Sequence, residues 1–226
     1  MIGGVGPEST IDYYGSIIAR YRKARDDGSY PQFLINSINL RKGTDLITAG
    51  DLAGLTDYLV EEIKKLALAG ADFGLISANT PHLVFDEVQR RSPIPLISIV
   101  EATARVAQHM KLKRVGLFAT RFTIAAKFYP KAFSNYGIEV VEPLPADQEF
   151  IHDKYMNELV NGMFLPATRE ALLGIVDRMA RDQKVEGIIL GGTELPLILR
   201  GEGHNGIPFL NTTQIHVEAA VTEMLS

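Results

Sequence analysis

The sequence predicts an α/β fold made of two similar halves, each with a parallel sheet covered by helices. Residues 72–103 and residues 186–213 both give an apolar strand, a polar turn, a short apolar helix and a strand that carries an Ile-Pro pair. The spacing of these features also repeats, because Ala78 precedes Pro95 by 17 positions and Gly192 precedes Pro208 by 16. Strands that alternate with helices along a chain are typical of parallel sheets covered on both faces.

The first half opens with a glycine turn, and only Met1 and Ile2 precede it. A parallel strand normally needs about five residues. We therefore expect either a very short first strand or a natural chain that starts earlier. Apolar stripes at helical spacing and short apolar runs then predict helices over 11–25, 52–69, 81–90 and 101–110, and strands over 33–38, 73–77 and 96–100.

The second half repeats this cycle from residue 114 onward. The expected strands are 114–119, 138–141, 188–190 and 208–210, and the expected helices are 124–136, 148–161, 167–182 and 213–225. The last helix repeats the role of residues 101–110, so we expect it to return to the first half. The predicted domains are therefore 1–103 with 208–226, and 104–207.

Composition indicates an ordinary globular protein of 226 residues, with 46% hydrophobic residues and a net charge of −4. That charge gives no reason to expect nucleic acid or an acidic membrane surface as a partner. No apolar run approaches the roughly 18 residues that would span a bilayer. No signal peptide is visible, so a cytoplasmic location is the default expectation.

The chain contains no cysteine, which excludes disulfides, thiolate metal sites and thiol catalysis. None of its five histidines forms an i, i+4 pair around a carboxylate, so no metal site is expected.

Four turns occupy the same place in the predicted architecture, between the end of a strand and the start of a helix. Backbone N–H groups at such positions, together with the helix dipole, favour a bound anion such as a small carboxylate. Taken one at a time, their Asn and Thr residues are also ordinary capping and turn residues. The four turns are residues 3–9, 78–82, 120–123 and 192–194.

Four ordered motifs resemble the aspartate/glutamate racemase family: GGVGPESTIDYY, ANTPH, ATRFT with a following FY, and GGTELPL. The resemblance covers nearly the whole chain. It implies two flavodoxin-like domains related by pseudo-twofold symmetry, with the active-site cleft between them. It also implies an amino-acid racemase that needs no pyridoxal phosphate or other cofactor, and that forms a homodimer. In that family one cysteine on each side of the substrate moves the α-proton.

Both cysteine positions are altered in this sequence. By the motifs, the first falls on Ala78 and the second on Gly192. Neither residue can carry a proton, and a positioned acid or base contributes roughly 10²–10⁴-fold. Two-thiol racemisation is therefore not possible as the sequence is written.

Glu194 is the best candidate for a replacement acid/base, because it follows Gly192 by two residues and burial could bring its carboxyl into the working range. Its alternative role is to cap a helix and orient its own loop. His82 and Glu8 have structural alternatives as well, a hydrogen bond to a neighbouring loop and a first-turn helix carboxylate.

The resemblance also places ligand-binding groups. Arg41 follows the second strand, where the family often binds a distal carboxylate, and Arg121 lies in the third turn; a solvated surface position is the alternative for both. A family lysine is not evident near Asn161 and Met163, which weakens the case for a dicarboxylic ligand. The residues expected to bind the ligand are Gly4, Val5, Arg41, Asn79, Thr80, Thr120, Arg121, Thr123 and Thr193.

Two functions follow as expectations. One is a racemase-family protein that acts on a small amino acid or dicarboxylate, with Glu194 or another non-thiol group as its acid/base. The other is a catalytically inactive protein that binds a small carboxylate on the same scaffold. A decarboxylase or cis–trans isomerase is less favoured, because relatives with such activities usually keep one cysteine. The turn GGVGPE lacks the pattern of a dinucleotide-binding loop.

Overall fold

Four short strands form the sheet of the first unit, and all of them run parallel. The glycine turn that follows the first strand starts a long helix, since Pro7 suits its first turn. The strands are β1 (Ile2–Gly3), β2 (Asn36–Ser37), β3 (Gly74–Leu75) and β4 (Leu96–Ile97). The helices are α1 (Pro7–Ala24), α2 (Leu40–Thr48), α3 (Leu52–Leu68) and α4 (Phe85–Arg91), with a 3-10 turn over Thr80–Val84.

Strand pairing gives the first sheet the order β2-β1-β3-β4. β1 pairs with β2, β3 pairs with β4, and the bridge between Ile2 and Ile76 joins the two pairs. Helix α3 covers this sheet with a buried stripe that includes Leu55, Leu59 and Ile63. The apolar spacing of residues 52–69 predicted this helix and its buried face.

The second unit has five strands in the order β6-β5-β7-β9-β8. All neighbours are parallel except β8, which pairs antiparallel with β9. The strands are β5 (Arg114–Phe118), β6 (Glu139–Val141), β7 (Gly187–Leu190), β8 (Gly203–His204) and β9 (Ile207–Asn211). The remaining helices along the chain are α5 (Ile99–His109), α6 (Arg121–Ala125), α7 (Phe128–Ser134), α8 (Pro145–Asn157), α9 (Pro166–Asp182), α10 (Leu195–Ile198) and α11 (Thr212–Leu225), with a 3-10 turn over Leu159–Asn161.

The two sheets have the same connectivity. The order β2-β1-β3-β4 matches β6-β5-β7-β9 strand for strand, and the short hairpin strand β8 is the addition. The internal repeat seen in the sequence therefore extends to both whole sheets. The predicted α/β class with parallel sheets in two units is confirmed.

The computed structural model describes residues 1–226, and the chain divides into unit 1 (Met1–Ile99 with His216–Ser226) and unit 2 (Val100–Ile215). The sequence placed these divisions after 103 and 207 instead. Residues 208–215 belong to unit 2 because β9 pairs with β7, which fixes the segment to the second sheet. Most of α11 lies in unit 1, where Val217 and Val221 pack in one apolar cluster with Tyr13 and Ile17.

Several element boundaries differ from the predictions. The single helix expected over 124–136 is two helices, α6 and α7, because Lys127 adopts a left-handed backbone conformation with φ 53°. Helix α2 was not predicted; Asn39 caps it by accepting hydrogen bonds from the backbone N–H groups of Arg41 and Lys42. None of the helices combines the length and the apolarity needed to cross a membrane.

Candidate functional site

The turn after β3 is tied to the glycine turn after β1. The backbone N–H and the hydroxyl of Ser77 both donate to the Ile2 carbonyl at 3.0 Å. The Ser9 hydroxyl donates to the Ser77 carbonyl at 2.8 Å. Ala78 follows directly and is only 7% exposed. This turn, called the first corner below, therefore joins the ends of two adjacent strands.

His82 stabilises this corner and has no free ring nitrogen. Its Nε2 accepts from the backbone N–H of Ile99 at 3.3 Å, so its Nδ1–H donates to the Ala78 carbonyl at 2.9 Å. Burial lowers the pKa of His82 to about 3, so the ring is neutral at physiological pH. The structural alternative for His82 is the one observed.

His216, on α11, makes a second buried connection in the same unit. Its Nε2 donates to the Ile97 carbonyl and its Nδ1 accepts from the Tyr13 hydroxyl, both at 2.8 Å. Burial lowers the pKa of His216 to about 4. Sequence reasoning assigned this residue no role, because its partners lie far away in the chain.

The glycine turn leaves little room for side chains. Gly4 has φ 74°, and a β-carbon there would lie 2.5 Å from the Ile38 carbonyl oxygen. Its N–H donates to the Thr10 hydroxyl at 2.9 Å. Gly4 is therefore required for the shape of the turn, and its N–H is already used within the protein. Val5 packs against the apolar cluster around α3.

Asn79 and Thr80 continue the first corner into the 3-10 turn. Asn79 is almost fully buried, and its carbonyl accepts from the backbone N–H of His82 at 2.9 Å. Thr80 is half-buried and starts the 3-10 turn. Both residues thus lie next to Ala78, as the motif predicted.

The second corner follows β7 and contains Gly192. The N–H of Gly191 donates to the Phe118 carbonyl at 2.7 Å, which ties the ends of β7 and β5 together. A β-carbon at Gly192 would lie 2.5 Å from Cε2 and 2.8 Å from the hydroxyl oxygen of Tyr155. The space of a side chain at residue 192 is therefore occupied by the phenol ring of Tyr155, which extends from α8.

Glu194 lies in the same corner with one of its oxygens fully engaged. Its Oε2 accepts hydrogen bonds from the Tyr155 hydroxyl and, at 2.9 Å, from the Thr193 hydroxyl. Its Oε1 accepts no hydrogen bond, and the residue is only 5% exposed. The side chain makes no capping bond to α10, so the capping alternative is not observed.

Tyr155 is held as a neutral phenol. Burial and then the negative charge of Glu194 raise the pKa of Tyr155 well above its ordinary value. The hydroxyl is therefore a permanent donor to the carboxylate. No local sequence pattern distinguished Tyr155 from the other aromatic residues, because its role depends on a contact with a residue 37 positions away.

Thr120 and Thr123 form the N-terminal cap of α6. The Thr120 hydroxyl oxygen accepts from the backbone N–H of Thr123 at 3.4 Å, and the two hydroxyls lie 3.3 Å apart. Both side chains are buried beside the end of β5. They are thus capping residues in this structure, at the strand end where the sequence placed them.

The two candidate arginines lie on the surface. The Arg41 side chain is 88% exposed, and its nearest carboxylate, Asp45, is 3.7 Å away on the same helix. Arg121 is also exposed and forms an ion pair with Glu149 at 2.9 Å. Neither side chain belongs to the buried hydrogen-bond networks of the corners. No group of three or more His, Asp or Glu side chains is arranged to hold a metal ion.

Known proteins that resemble this chain are racemases and their relatives. The chain is 28% identical over 164 residues to the broad specificity amino-acid racemase RacX of Bacillus subtilis, which covers 71% of this chain and 66% of that protein. An aspartate racemase homologue from Pyrococcus horikoshii has a solved structure with 32% identity and a TM-score of 0.87, covering 100% of this chain and 97% of that one. A Yersinia pestis protein assigned provisionally to the Asp/Glu racemases gives 29% identity and a TM-score of 0.92, with the same coverage.

The family model for Asp/Glu/hydantoin racemases matches residues 2–220, which include both corners. The chain belongs to the Asp/Glu/hydantoin racemase family.

Proposed function

We propose that this protein binds a small amino acid or carboxylic acid of the aspartate or glutamate type at the carboxyl ends of its parallel strands, and that it does not racemise by the two-thiol route. One observation carries the proposal. The positions of both family cysteines, Ala78 and Gly192, lie at the ends of β3 and β7, which are equivalent strands in two sheets of the same order. The scaffold of the family is thus kept while both of its proton carriers are absent.

Strand-end chemistry supports a carboxylate ligand. In open parallel α/β sheets, ligands bind outside the carboxyl ends of the strands. Asn79 puts an amide at one such end, next to Ala78. RacX is described as a racemase of broad specificity, so the ligands to be tested should extend beyond aspartate and glutamate.

Isothermal titration calorimetry with both enantiomers of aspartate, glutamate and several neutral amino acids tests the proposal. We expect saturable binding of at least one of them. Asn79→Ala should weaken that binding by about ten- to a hundredfold, because a hydrogen bond to a charged group contributes about 1.5–3 kcal/mol. Asn135→Ala, an exposed position at the end of α7, is the control and should leave binding unchanged. Absence of binding for every ligand would refute the proposal.

A second candidate function is an isomerase that uses Glu194 in place of a thiol. The observation that favours it is a carboxylate with one oxygen fixed by two donors and the other, Oε1, without a hydrogen bond. Proton exchange at the α-carbon in D₂O separates this enzyme from a protein that only binds.

Three further expectations rest on family membership and remain proposals: independence from pyridoxal phosphate, a homodimer and a cytoplasmic location. Light scattering on the purified chain tests the homodimer directly. A monomer at micromolar concentration would contradict it.

A further inference from the structure

We propose that Tyr155 positions Glu194 as a one-sided acid/base, which exchanges the α-proton of a bound amino acid with solvent and does not invert its configuration. This inference rests on the proposed function, because a ligand has to bind first. It assigns the second corner a proton-transfer group that is not a thiol, and it assigns Tyr155 a role that no sequence motif indicated.

The phenol ring of Tyr155 takes the place of a side chain at Gly192. Its hydroxyl oxygen lies 2.8 Å from the position of the missing β-carbon. The hydroxyl thus lies near the place from which a thiol at residue 192 would extend. It donates directly to Glu194.

The two carboxylate oxygens of Glu194 differ in their hydrogen bonds. Oε2 takes both donated hydrogen bonds, from Tyr155 and Thr193, and Oε1 takes none. Two donors on one oxygen fix the plane of the carboxylate. A base whose orientation is fixed by a neighbouring donor is the usual arrangement of an enzymatic proton acceptor.

Tyr155 and Glu194 are the two groups of this corner that could take the α-proton of the ligand. Because its pKa is raised, Tyr155 remains a phenol and cannot itself accept a proton from the ligand. Its function is to hold Glu194, and the transfer falls to Oε1. Tyr155 is therefore a positioning residue.

The first corner offers no side chain that could transfer a proton. Ala78 carries a methyl group, and the Ser77 hydroxyl is buried and donates to Ile2. His82 uses both ring nitrogens and resists protonation. A proton that leaves the α-carbon toward Glu194 therefore returns from the same side.

The transfer balances without a further reagent. The α-C–H bond breaks, the proton bonds to Oε1, and the electron pair of that bond remains on the ligand as an enolate of its carboxyl group. The proton on Oε1 exchanges with solvent. Oε1 then returns a solvent proton to the same face, which restores the original amino acid with a solvent hydrogen at its α-carbon.

Proton NMR in D₂O tests the inference on the full chain. Each enantiomer that calorimetry shows to bind is incubated with the protein, and loss of the α-proton signal is followed together with chiral chromatography. We expect the signal of at least one enantiomer to disappear while that enantiomer persists, and Glu194→Gln to abolish the loss. Appearance of the opposite enantiomer at the rate of exchange would overturn the one-sided assignment. Exchange that survives Glu194→Gln would overturn the role of the carboxylate.

Tyr155→Phe tests the positioning role, because it keeps the ring that fills the space at Gly192 and removes only the hydroxyl. We expect exchange at saturating ligand to slow at least tenfold while the calorimetric Kd of the ligand stays the same, because only the orientation of Glu194 changes. Tyr129→Phe is the matched control, a fully buried tyrosine of unit 2 whose hydroxyl bonds Thr212 instead. Its exchange rate and Kd should equal those of the unmodified protein.

The outcomes separate the two proposals. Absence of calorimetric binding refutes the proposed function, and this inference falls with it. Binding without α-proton exchange refutes only this inference. If exchange is lost in Glu194→Gln but unchanged in Tyr155→Phe, Glu194 is the acid/base and Tyr155 does not position it.

Discussion

Gly192 and Tyr155 constrain each other at the scale of single residues. Gly192 does not have a positive φ, so nothing in its backbone conformation demands glycine. What demands it is the phenol ring, 2.5 Å from where a β-carbon would be. A thiol cannot simply be put back at this position, because Tyr155 would have to leave its place and its bond to Glu194.

Gly192→Ala should destabilise the protein by about 1–3 kcal/mol, the usual cost of overpacking a filled core. Urea unfolding measures this free energy. Gly174→Ala, in helix α9, is the control. Its added carbon meets only the end of the Arg178 side chain at 3.7 Å, and alanine is the better helix former by about 0.8–1.0 kcal/mol.

Equal effects of the two alanine substitutions would contradict this account of Gly192. The double variant Gly192→Ala with Tyr155→Leu provides a further check. The smaller side chain vacates the space, so the two changes should cost less together than the sum of their separate costs.

At the scale of the element, the C-terminal end of helix α5 places a lysine where a left-handed backbone conformation is needed. Helix α5 ends in a Schellman arrangement: the N–H of Leu112 donates to the Ala107 carbonyl and the N–H of Lys111 donates to the Gln108 carbonyl. Lys111 has to adopt φ 61° for this, a conformation that costs a residue with a side chain about 1–2 kcal/mol. The sequence did not indicate it, since glycine is the usual residue at this position.

Lys111→Gly should therefore stabilise the protein by about 0.5–1 kcal/mol, because the relief of strain exceeds the extra entropy that glycine loses on folding. Thermal or urea unfolding measures the change. Lys23→Gly, in the last turn of α1 where φ is not positive, is the matched control and should destabilise by about 1 kcal/mol. A loss of stability in both variants would show that Lys111 is not strained.

At the scale of the whole molecule, two buried neutral histidines couple stability to pH. His82 and His216 have pKa values of about 3 and 4 in the folded state, both lowered by burial from 6.5. Above pH 6.5 these two histidines are neutral in both the folded and the unfolded protein, so the full free energy of unfolding is present. Below pH 6.5 the unfolded chain binds protons that the folded protein does not, so stability falls as the pH falls.

Each histidine should remove about 1.4 kcal/mol per pH unit between pH 6.5 and the vicinity of its folded pKa. His216→Gln, whose amide can still donate to the Ile97 carbonyl, should reduce the slope of unfolding free energy against pH by about one proton. Gln108→Ala, an exposed position of α5 without an ionisable group, is the control and should not change the slope. Urea unfolding at pH 7.5, 6.5 and 5.5 measures it, and identical slopes in all three proteins would disprove the coupling.

The amino-acid pattern alone determined the α/β class, the repeat, the turns at the strand ends and the family, because apolar period, turn residues and motif spacing are local properties of a chain. The packed structure decided the rest. Pairing of β9 with β7 fixed the division into units, and left-handed Lys127 split one expected helix into two. The contact of Tyr155 with Gly192, and the unequal surroundings of the two Glu194 oxygens, exist only once α8 packs beside the end of β7. Such contacts join residues far apart in the chain, and no local pattern encodes which distant side chain will fill a given space.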